Sequence, residues 1–267
     1  MLDEKYNDLL SYLRQFEKVA LAYSSGVDSN FLLYALNEAI GNENILAVTI
    51  NGDMNLKEEL KDSKLYTKML NIEHEIINVD IEGIENFKKN PKDRCYYCKK
   101  MIFQEIISVS EKRDIYLVLD GTNKDDTLDY RPGLKALEEL KIISPLKELS
   151  FTKEEIRLLS KSKNIKTWDK PSMACLASRI PYDEEITKEK LNIVELSETY
   201  LYNLGYKDFR VRVHEKLARI ELNKLDIEKF IVSKDYEKVE KYFKSIGFVF
   251  VSLDLTGHKT GSMNNIL

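Results

Sequence analysis

The sequence predicts an α/β fold in which a doubly wound parallel sheet, residues 1–170, is followed by a smaller α+β domain, residues 171–267. Two observations carry this prediction. Apolar runs of strand length alternate with helix-period segments through the first part of the chain, which indicates a Rossmann-like parallel sheet covered on both faces. Beyond about residue 170 the alternation stops and two strands follow each other directly.

The first domain is expected to alternate four helices with four strands, and helical periodicity begins with Leu2, Leu9 and Leu13. Gly41 is placed to end the second helix. The predicted helices are 2–16, 30–40, 55–71 and 95–112, and the predicted strands are 19–23, 45–50, 74–80 and 115–120.

The second domain is expected to begin after an irregular join, residues 164–185, that contains two prolines. A helix over 187–205 precedes two paired strands, 209–214 and 218–222. One long helix over 227–247 and a last strand over 248–255 complete the prediction.

Composition and charge restrict the class of protein. Three cysteines among 267 residues argue against a disulfide framework and favour a reducing, cytoplasmic location. The apolar runs are too short to span a bilayer, so no membrane partner is expected. A net charge of -4 weighs against a large nucleic-acid partner, because binding to phosphates needs a basic face.

The stretch AYSSGVDS, Ala22 to Ser29, follows the first predicted strand. Small residues at a helix start let backbone amides approach a phosphate. The spacing fits neither a Walker A loop nor a dinucleotide-binding turn, but it resembles the PP-loop, S-G-G-x-D-S, of ATP pyrophosphatases. That resemblance implies an ATP site formed by Ser24, Ser25, Gly26, Val27, Asp28 and Ser29. Ser25 departs from the pattern, because the family usually has glycine there and serine disfavours positive φ.

A second loop, GTNKDD, follows the fourth predicted strand of the same sheet. In PP-loop enzymes such a loop implies further contacts with the nucleotide and with Mg²⁺, here through Gly121, Thr122, Asn123 and Asp125. Asp28 and Asp125 are the candidate carboxylates, a ligand type that suits magnesium bound to phosphates.

Four further stretches, DKPSMACLASRIPY, RCYYCK, YRPG and RVRVH, resemble the LarE-type ATP-dependent sulfur transferases of nickel-pincer cofactor assembly. The resemblance implies that ATP adenylates a pyridinium carboxylate of a mononucleotide and that sulfur then displaces AMP. It implies a sulfide or persulfide donor and a homo-oligomer. By position it implies substrate or phosphate contacts at Ser178, Arg179, Arg210 and Arg212 and a further active-site acid at Glu198. We add Arg131, in YRPG, as a further candidate for substrate binding. Arg210 and Arg212 share one face of a strand and are expected to point at a single anion.

The cysteines leave several interpretations open. Some LarE-type members sacrifice one cysteine as sulfur donor, and others are described with three cysteines around a 4Fe-4S cluster. Cys175 alone would satisfy the first version and leave Cys95 and Cys98 without a role. All three together would hold a cluster with one open iron, the version that we favour. A zinc site, a redox pair and inert thiols are the remaining interpretations.

Other functions share parts of this pattern. A tRNA thiolation enzyme is also a PP-loop protein and often has three cysteines, but the acidic balance of this chain counts against it. An amidating ligase would adenylate a carboxylate without needing the thiols. A non-catalytic nucleotide-binding scaffold would not explain why loops, acids and thiols occur together.

Overall fold

The computed structural model describes residues 2–127, 132–170 and 174–259. The chain divides into two compact units, and the first unit consists of Met1–Phe87 and Asp93–Met173. The second unit consists of Lys88–Lys92 and Ala174–Leu267. A short segment from the first half of the chain therefore belongs to the second unit, and nothing in the sequence pattern distinguishes it.

The secondary structure follows the chain order expected for alternating strands and helices. The helices are α1 (Leu2–Leu13), α2 (Val27–Ile40), α3 (Lys57–Met69), α4 (Glu85–Lys88), α5 (Arg94–Glu111), α6 (Gly133–Glu139), α7 (Pro145–Glu148), α8 (Lys153–Ser162), α9 (Lys188–Asn203), α10 (Lys224–Val232) and α11 (Asp235–Ser245). The strands are β1 (Val19–Ala22), β2 (Ile45–Gly52), β3 (Glu73–Val79), β4 (Val118–Asp120), β5 (Phe209–His214), β6 (Leu217–Leu222) and β7 (Phe250–Leu253). Among these helices none is both long and apolar enough to cross a membrane.

The first unit contains a parallel sheet in the strand order β3-β2-β1-β4. β1 lies between β2 and β4, with Val19 paired to Ile45 and Ala22 paired to Asp120. The chain order changes direction on either side of β1, so the loops after β1 and β4 leave the same edge of the sheet. Ligands of doubly wound proteins bind at such an edge.

Apolar clusters cover both faces of this sheet. Val19 and Leu21 pack with α1, α2 and α8 through residues such as Leu9, Phe31 and Ile156. Ala20, on the opposite face of β1, packs with α5 and α6 in a second cluster. This alternation is the period of two expected of a strand buried on both faces, and it confirms the predicted fold class.

The second unit contains a smaller sheet in the order β5-β6-β7. β5 and β6 are antiparallel, with Phe209 opposite Leu222, and β7 runs parallel to β6. The helices α10 and α11 connect β6 to β7, which is the crossover that a parallel pair requires.

One predicted element of the second unit is wrong. The sequence predicts a single helix over 227–247, whereas the structure breaks it into α10 and α11 at Lys234, whose φ is 56°. The buried carboxylate of Asp235 accepts hydrogen bonds from the hydroxyls of Ser233 at 2.8 Å and of Tyr206 at 2.9 Å. These bonds hold the turn that ends α10, and a periodicity argument does not contain them.

Candidate active site

The loop after β1 is shaped by polar contacts within the first unit. The Asn30 side-chain amide donates to the Ser25 carbonyl at 2.9 Å, and the hydroxyls of Ser24 and Ser29 lie 3.1 Å apart. Among the described residues no side chain caps α2, which begins after Gly26. The first amides of α2 are therefore available to an anion at the positive end of the helix dipole.

Ser25 adopts the left-handed conformation, with φ of 55°, although serine disfavours it. The strain costs about 1 to 2 kcal/mol for a residue with a Cβ. Its hydroxyl donates to the Glu59 carbonyl at 2.8 Å, which offsets part of that cost. The Lys170 ammonium also donates to the Ser25 carbonyl, at 3.4 Å, and to Asp62 at 2.7 Å. Contacts from Glu59 and Lys170, in two other segments, thus hold Ser25 in a left-handed conformation that usually requires glycine.

The loop after β4 approaches the start of α2 very closely. A Cβ added to Gly121 would lie 3.0 Å from the Ser29 amide nitrogen and 3.3 Å from the Asp28 carbonyl carbon. A methyl group does not fit there without a shift of backbone, so Gly121 is needed for this approach. The two loops predicted to bind the nucleotide are therefore adjacent.

Asp120 fixes the second loop from the end of β4. Its buried carboxylate accepts hydrogen bonds from the Thr122 hydroxyl, from the Thr122 amide at 3.3 Å and from the Ser144 hydroxyl at 2.6 Å. A buried carboxylate with several donors rigidifies the backbone around it. Asp120 and Ser144 were not predicted as site residues.

Asp28 carries a carboxylate whose two oxygens have different surroundings. One oxygen, Oδ2, is paired with the Lys153 ammonium, whereas Oδ1 is buried and has no hydrogen-bond partner among the described residues. Burial raises the pKa of the Asp28 carboxyl, and the nearby Lys153 opposes that rise. An unsatisfied buried carboxylate oxygen is costly, and a magnesium ion bound to phosphates would satisfy it.

Asp125, the second predicted carboxylate, is already engaged by backbone groups. Its Oδ2 accepts the Lys153 amide hydrogen at 2.8 Å, and its own amide donates to the Asn123 side-chain oxygen at 2.9 Å. Asp126 accepts the Asn123 amide hydrogen at 3.0 Å. Asn123 is thus held on both sides, and Asp28 suits a metal better than Asp125 does.

Lys153 was missed from the sequence, although it touches both predicted carboxylates. It is the first residue of α8, whose start carries a capping box between Thr152 and Glu155. The pattern T-x-x-E predicts this helix start, and it could have identified Lys153 as the first residue of the helix. No local signal indicates that the helix starts beside the loop after β1.

In the second unit, Arg179 and Glu198 form a buried bidentate ion pair. Arg179 is 1% exposed, and its Nε and Nη2 donate to the two Glu198 oxygens at 2.9 and 2.8 Å. The remaining Arg179 nitrogen, Nη1, donates to the Ala174 carbonyl at 2.6 Å and to the Cys175 carbonyl at 3.0 Å. The same Nη1 reaches the Ser178 hydroxyl at 2.9 Å. Arg179 therefore holds the turn that carries Cys175.

Arg210 and Arg212 both lie on β5, at alternate positions as predicted. Arg212 is buried and donates to Glu221 and to the Ser178 carbonyl, each at 2.9 Å. Arg210 donates to the Phe209 carbonyl at 2.6 Å. Burial and then repulsion from Arg179 lower the pKa of the Arg210 guanidinium. The acidic neighbours Glu198 and Asp208 oppose that repulsion.

The cysteines are distributed over both units. Cys95 and Cys98 lie in the first turn of α5, in the first unit, and Cys95 is exposed. Cys175 is also exposed and precedes a 3-10 turn, Leu176–Arg179, of the second unit. Within residues 2–127, 132–170 and 174–259, no three His, Cys, Asp or Glu side chains form a group that could hold a metal ion. The three-cysteine cluster stays a prediction, and the predicted Arg131 lies outside the described residues.

Comparison with known proteins gives matches that extend along the entire chain. It is 37% identical over 267 residues to an uncharacterized protein of Synechocystis sp., covering 99% of that relative. It is 34% identical over 266 residues to the pyridinium-3,5-bisthiocarboxylic acid mononucleotide synthase of Lactiplantibacillus plantarum, covering 100% of this chain and 96% of that relative.

A second set of likenesses covers a shorter part of the chain. The NAD synthase family profile matches residues 5–103. The NH(3)-dependent NAD(+) synthetase of Fusobacterium nucleatum is 32% identical over 98 residues, which cover 34% of this chain and 38% of that relative. This shared part contains the loop after β1.

Substitution of Ser25 tests the left-handed loop. Ser25→Gly should be more stable than Ser25→Ala by about 1 kcal/mol, because glycine adopts positive φ without strain and both variants lose the hydroxyl. Urea unfolding of the two variants measures the difference. Ser150, exposed and with φ of 57°, provides the control pair Ser150→Gly and Ser150→Ala. Equal stabilities at position 25, with the expected difference at 150, would contradict the left-handed Ser25.

Substitution of Gly121 tests the approach of the two loops. Gly121→Ala should weaken Mg-ATP binding by about tenfold, because the new methyl group displaces the start of α2 and misplaced binding groups lose much of their effect. Isothermal titration calorimetry measures the change. Gly83→Ala is the matched control, since a Cβ at Gly83 would meet nothing within 4 Å. Unchanged affinity in Gly121→Ala would show that the nucleotide does not use this junction.

Proposed function

The chain belongs to the LarE-type family of PP-loop enzymes, which use ATP and form AMP and pyrophosphate, and we propose that it converts a pyridinium biscarboxylic acid mononucleotide into a thiocarboxylate for nickel-pincer cofactor biosynthesis. The observation that carries this proposal is the likeness over 266 residues to pyridinium-3,5-bisthiocarboxylic acid mononucleotide synthase. The geometry of the first unit supports it, because the groups needed for adenylation meet at one sheet edge.

The first chemical step is adenylation. A substrate carboxylate oxygen attacks the α-phosphorus of ATP, the bond to the pyrophosphate oxygen breaks, and an acyl adenylate forms. The amides at the start of α2 and the Lys153 ammonium would stabilise the charge on the leaving pyrophosphate. Asp28 Oδ1 is the carboxylate oxygen suited to Mg²⁺, which when bound neutralises charge on the phosphates. No general base is required, because the attacking carboxylate is already anionic.

The second step replaces AMP with sulfur. Hydrosulfide attacks the activated carbonyl carbon, the bond to the AMP oxygen breaks, and a thiocarboxylate and AMP leave. The hydrosulfide is proposed to come from free sulfide, or from a persulfide whose outer sulfur a thiol reductant releases as hydrosulfide while a disulfide forms. A thiolate or hydrosulfide is a sufficient nucleophile toward an acyl phosphate without activation by a base.

The arginines of the second unit are proposed to bind the anionic groups of the substrate. Arg210 is our candidate for the direct contact, because Arg179 and Arg212 each form a buried ion pair, with Glu198 and Glu221 respectively. Arg179 is engaged with Glu198 on two of its three nitrogens. We therefore assign Arg179 and Glu198 to the support of the Cys175 turn, and Arg210 to direct contact with a carboxylate or phosphate.

The thiols suit an iron–sulfur cluster in their chemistry. Cys95 and Cys98 lie at the positive end of an 18-residue helix, which favours thiolates and an anionic cluster. Cys175 is exposed and would be the third ligand. When bound, a 4Fe-4S cluster with three protein ligands supplies one iron with an open position that can carry hydrosulfide. The alternative within the same family is that Cys175 itself donates its sulfur and ends as dehydroalanine.

Acidification tests the role of Asp28. The carboxylate must be ionised to bind Mg²⁺, and its pKa is raised by burial. Mg-ATP affinity should therefore fall as the pH decreases through a range above the ordinary aspartate value of about 4. Asp28→Asn should bind Mg-ATP at least about tenfold more weakly at neutral pH. It should also lose this pH dependence.

Calorimetric titrations between about pH 5 and pH 8 measure both effects. Asp8→Asn, on an exposed position of α1, is the control and should follow the wild type. A variant at Asp28 that keeps the wild-type affinity and pH profile would remove Asp28 from the metal site.

Anaerobic purification tests the sulfur route. We expect iron and sulfide in the protein, with ATP-to-AMP turnover on the pyridinium substrate exceeding one product per chain. Replacing Cys95, Cys98 or Cys175 by alanine should each reduce turnover to one product or fewer. If only Cys175→Ala loses activity, and wild type stops after one turnover, the sacrificial route is correct. Formation of an amide from ammonia and the substrate carboxylate, with all three cysteines dispensable, would instead favour an amidating ligase.

A further inference from the structure

Two buried side chains of the first unit, Tyr23 and Asn30, form a hydrogen-bonded chain that ends on the loop after β1. Tyr23 directly follows β1 and is 2% exposed, and Asn30 lies in α2 and is 4% exposed. The Tyr23 hydroxyl donates to Asn30 Oδ1, and Asn30 Nδ2 donates to the Ser25 carbonyl at 2.9 Å. Neither Tyr23 nor Asn30 was predicted as a site residue.

The donors and acceptors in this chain have one consistent arrangement. The Ser25 carbonyl can only accept, so the amide nitrogen of Asn30 must face it. The amide oxygen then faces Tyr23, whose hydroxyl must donate. The opposite orientation of the amide would place its oxygen against the Ser25 carbonyl and lose that bond. The Tyr23 hydroxyl therefore stabilises the one orientation of Asn30 that binds the loop.

The sheet holds Tyr23 in place. Its amide donates to the Val48 carbonyl at 2.8 Å, and its carbonyl accepts from the Thr49 hydroxyl at 2.8 Å. His74 Nε2 lies 2.8 Å from the same Thr49 oxygen, and it is the donor there because the single Thr49 hydrogen goes to Tyr23. The rings of Tyr23 and His74 also meet edge to face, with centroids 6.3 Å apart. The hydroxyl that reaches Asn30 thus belongs to a side chain fixed by β2 and β3.

The chain determines the direction of the next backbone amide. In a trans peptide the carbonyl of one residue and the N–H of the next point in opposite directions. Asn30 and the Lys170 ammonium, the latter at 3.4 Å, both bind the Ser25 carbonyl. The Gly26 N–H therefore points away from these two donors, and its contact with the Ser24 hydroxyl is long, at 3.4 Å. A peptide turned the other way would face an anion with its carbonyl oxygen.

Ser25 is the reason that this peptide needs to be held. Its φ of 55° costs energy for a residue with a Cβ, whereas glycine adopts such a φ freely. If Ser25 relaxed to a negative φ, the peptide between Ser25 and Gly26 would move. Contacts on the Ser25 carbonyl oppose that relaxation.

We propose that Tyr23 and Asn30 are positioning residues that keep the peptide between Ser25 and Gly26 in the orientation that presents the Gly26 amide to the pyrophosphate of ATP. This inference rests on the proposed function, because it takes the loop after β1 as the pyrophosphate site. Both residues act through the backbone of the loop rather than by touching the nucleotide. The effect of the Tyr23 hydroxyl should therefore depend on which residue occupies position 25.

Tyr23→Phe tests the proposal, because it removes only the hydroxyl. Isothermal titration calorimetry should show Mg-ATP binding about tenfold weaker than in the wild type, since a buried hydrogen bond is lost and Asn30 Oδ1 is left without its donor. In a Ser25→Gly background the same substitution should weaken binding by about threefold or less, because residues in one hydrogen-bond network are not additive. An effect on packing alone would be equal in the two backgrounds.

Tyr6→Phe is the matched control. Tyr6 belongs to the same unit and is 3% exposed, and its hydroxyl donates to Glu38 at 2.7 Å. Its removal costs a similar buried bond at a position that does not bind the loop. Tyr6→Phe should bind Mg-ATP as the wild type does, in both backgrounds, and urea unfolding of every variant measures whether it is folded.

Asn30→Ala provides a second variant, since it removes the group through which Tyr23 acts. It should weaken Mg-ATP binding at least as much as Tyr23→Phe, and adding Tyr23→Phe to it should cause no further loss. Wild-type affinity in folded Tyr23→Phe, or an equal loss with serine and with glycine at position 25, would overturn the role of Tyr23 and leave the proposed function intact. Failure of the wild type to bind Mg-ATP would instead contradict the proposed nucleotide site, and this inference with it.

Discussion

The close approach of the loop after β4 to the first turn of α2 is the constraint on which the first unit depends. Gly121 permits it, because a side chain there would collide with the backbone at Ser29. The contact leaves Asp28 in a partly buried position where Oδ2 is paired with Lys153 and Oδ1 has no partner within the described part of the chain. A carboxylate is thereby kept near the helix amides without being neutralised by them. The packing of the backbone therefore fixes where these groups lie, and their charges act within that arrangement.

The sequence predicted the sheet well because burial on both faces leaves a strong pattern. The runs at β1 and β2 contain almost continuous apolar residues, and their length alone identifies strands. The break at Lys234 could not be predicted in the same way. It depends on Tyr206 and Ser233 donating to Asp235, and these side-chain bonds at the junction of the two helices are not encoded in periodicity.

The candidate site also combines features that the sequence pattern predicts with contacts that it does not. Motif spacing located Asp28 and Gly121, since loops after neighbouring parallel strands meet at one edge. Spacing could not reveal that Lys153 binds Asp28 across more than a hundred residues of sequence. Nor could it show that Arg179, expected to hold substrate, has its guanidinium bound to Glu198 and to the turn of Cys175. Residue type predicts that a charge is useful, whereas only the fold decides which groups it binds.

Each unit places a charged side chain where burial works against its charge. In the first, burial raises the pKa of the Asp28 carboxyl and Lys153 opposes that rise, while Oδ1 has no hydrogen-bond partner among the described residues. In the second, burial is the main cause that lowers the pKa of the Arg210 guanidinium, and Glu198 and Asp208 oppose the repulsion from Arg179 and Arg212. Perturbed ionisation of this kind is found both at functional sites and in structural ion-pair networks. The proposed binding of Mg²⁺ at Asp28 therefore rests on a buried oxygen without a donor, whereas the proposed binding of an anion at Arg210 rests on the likeness over 266 residues to the mononucleotide synthase.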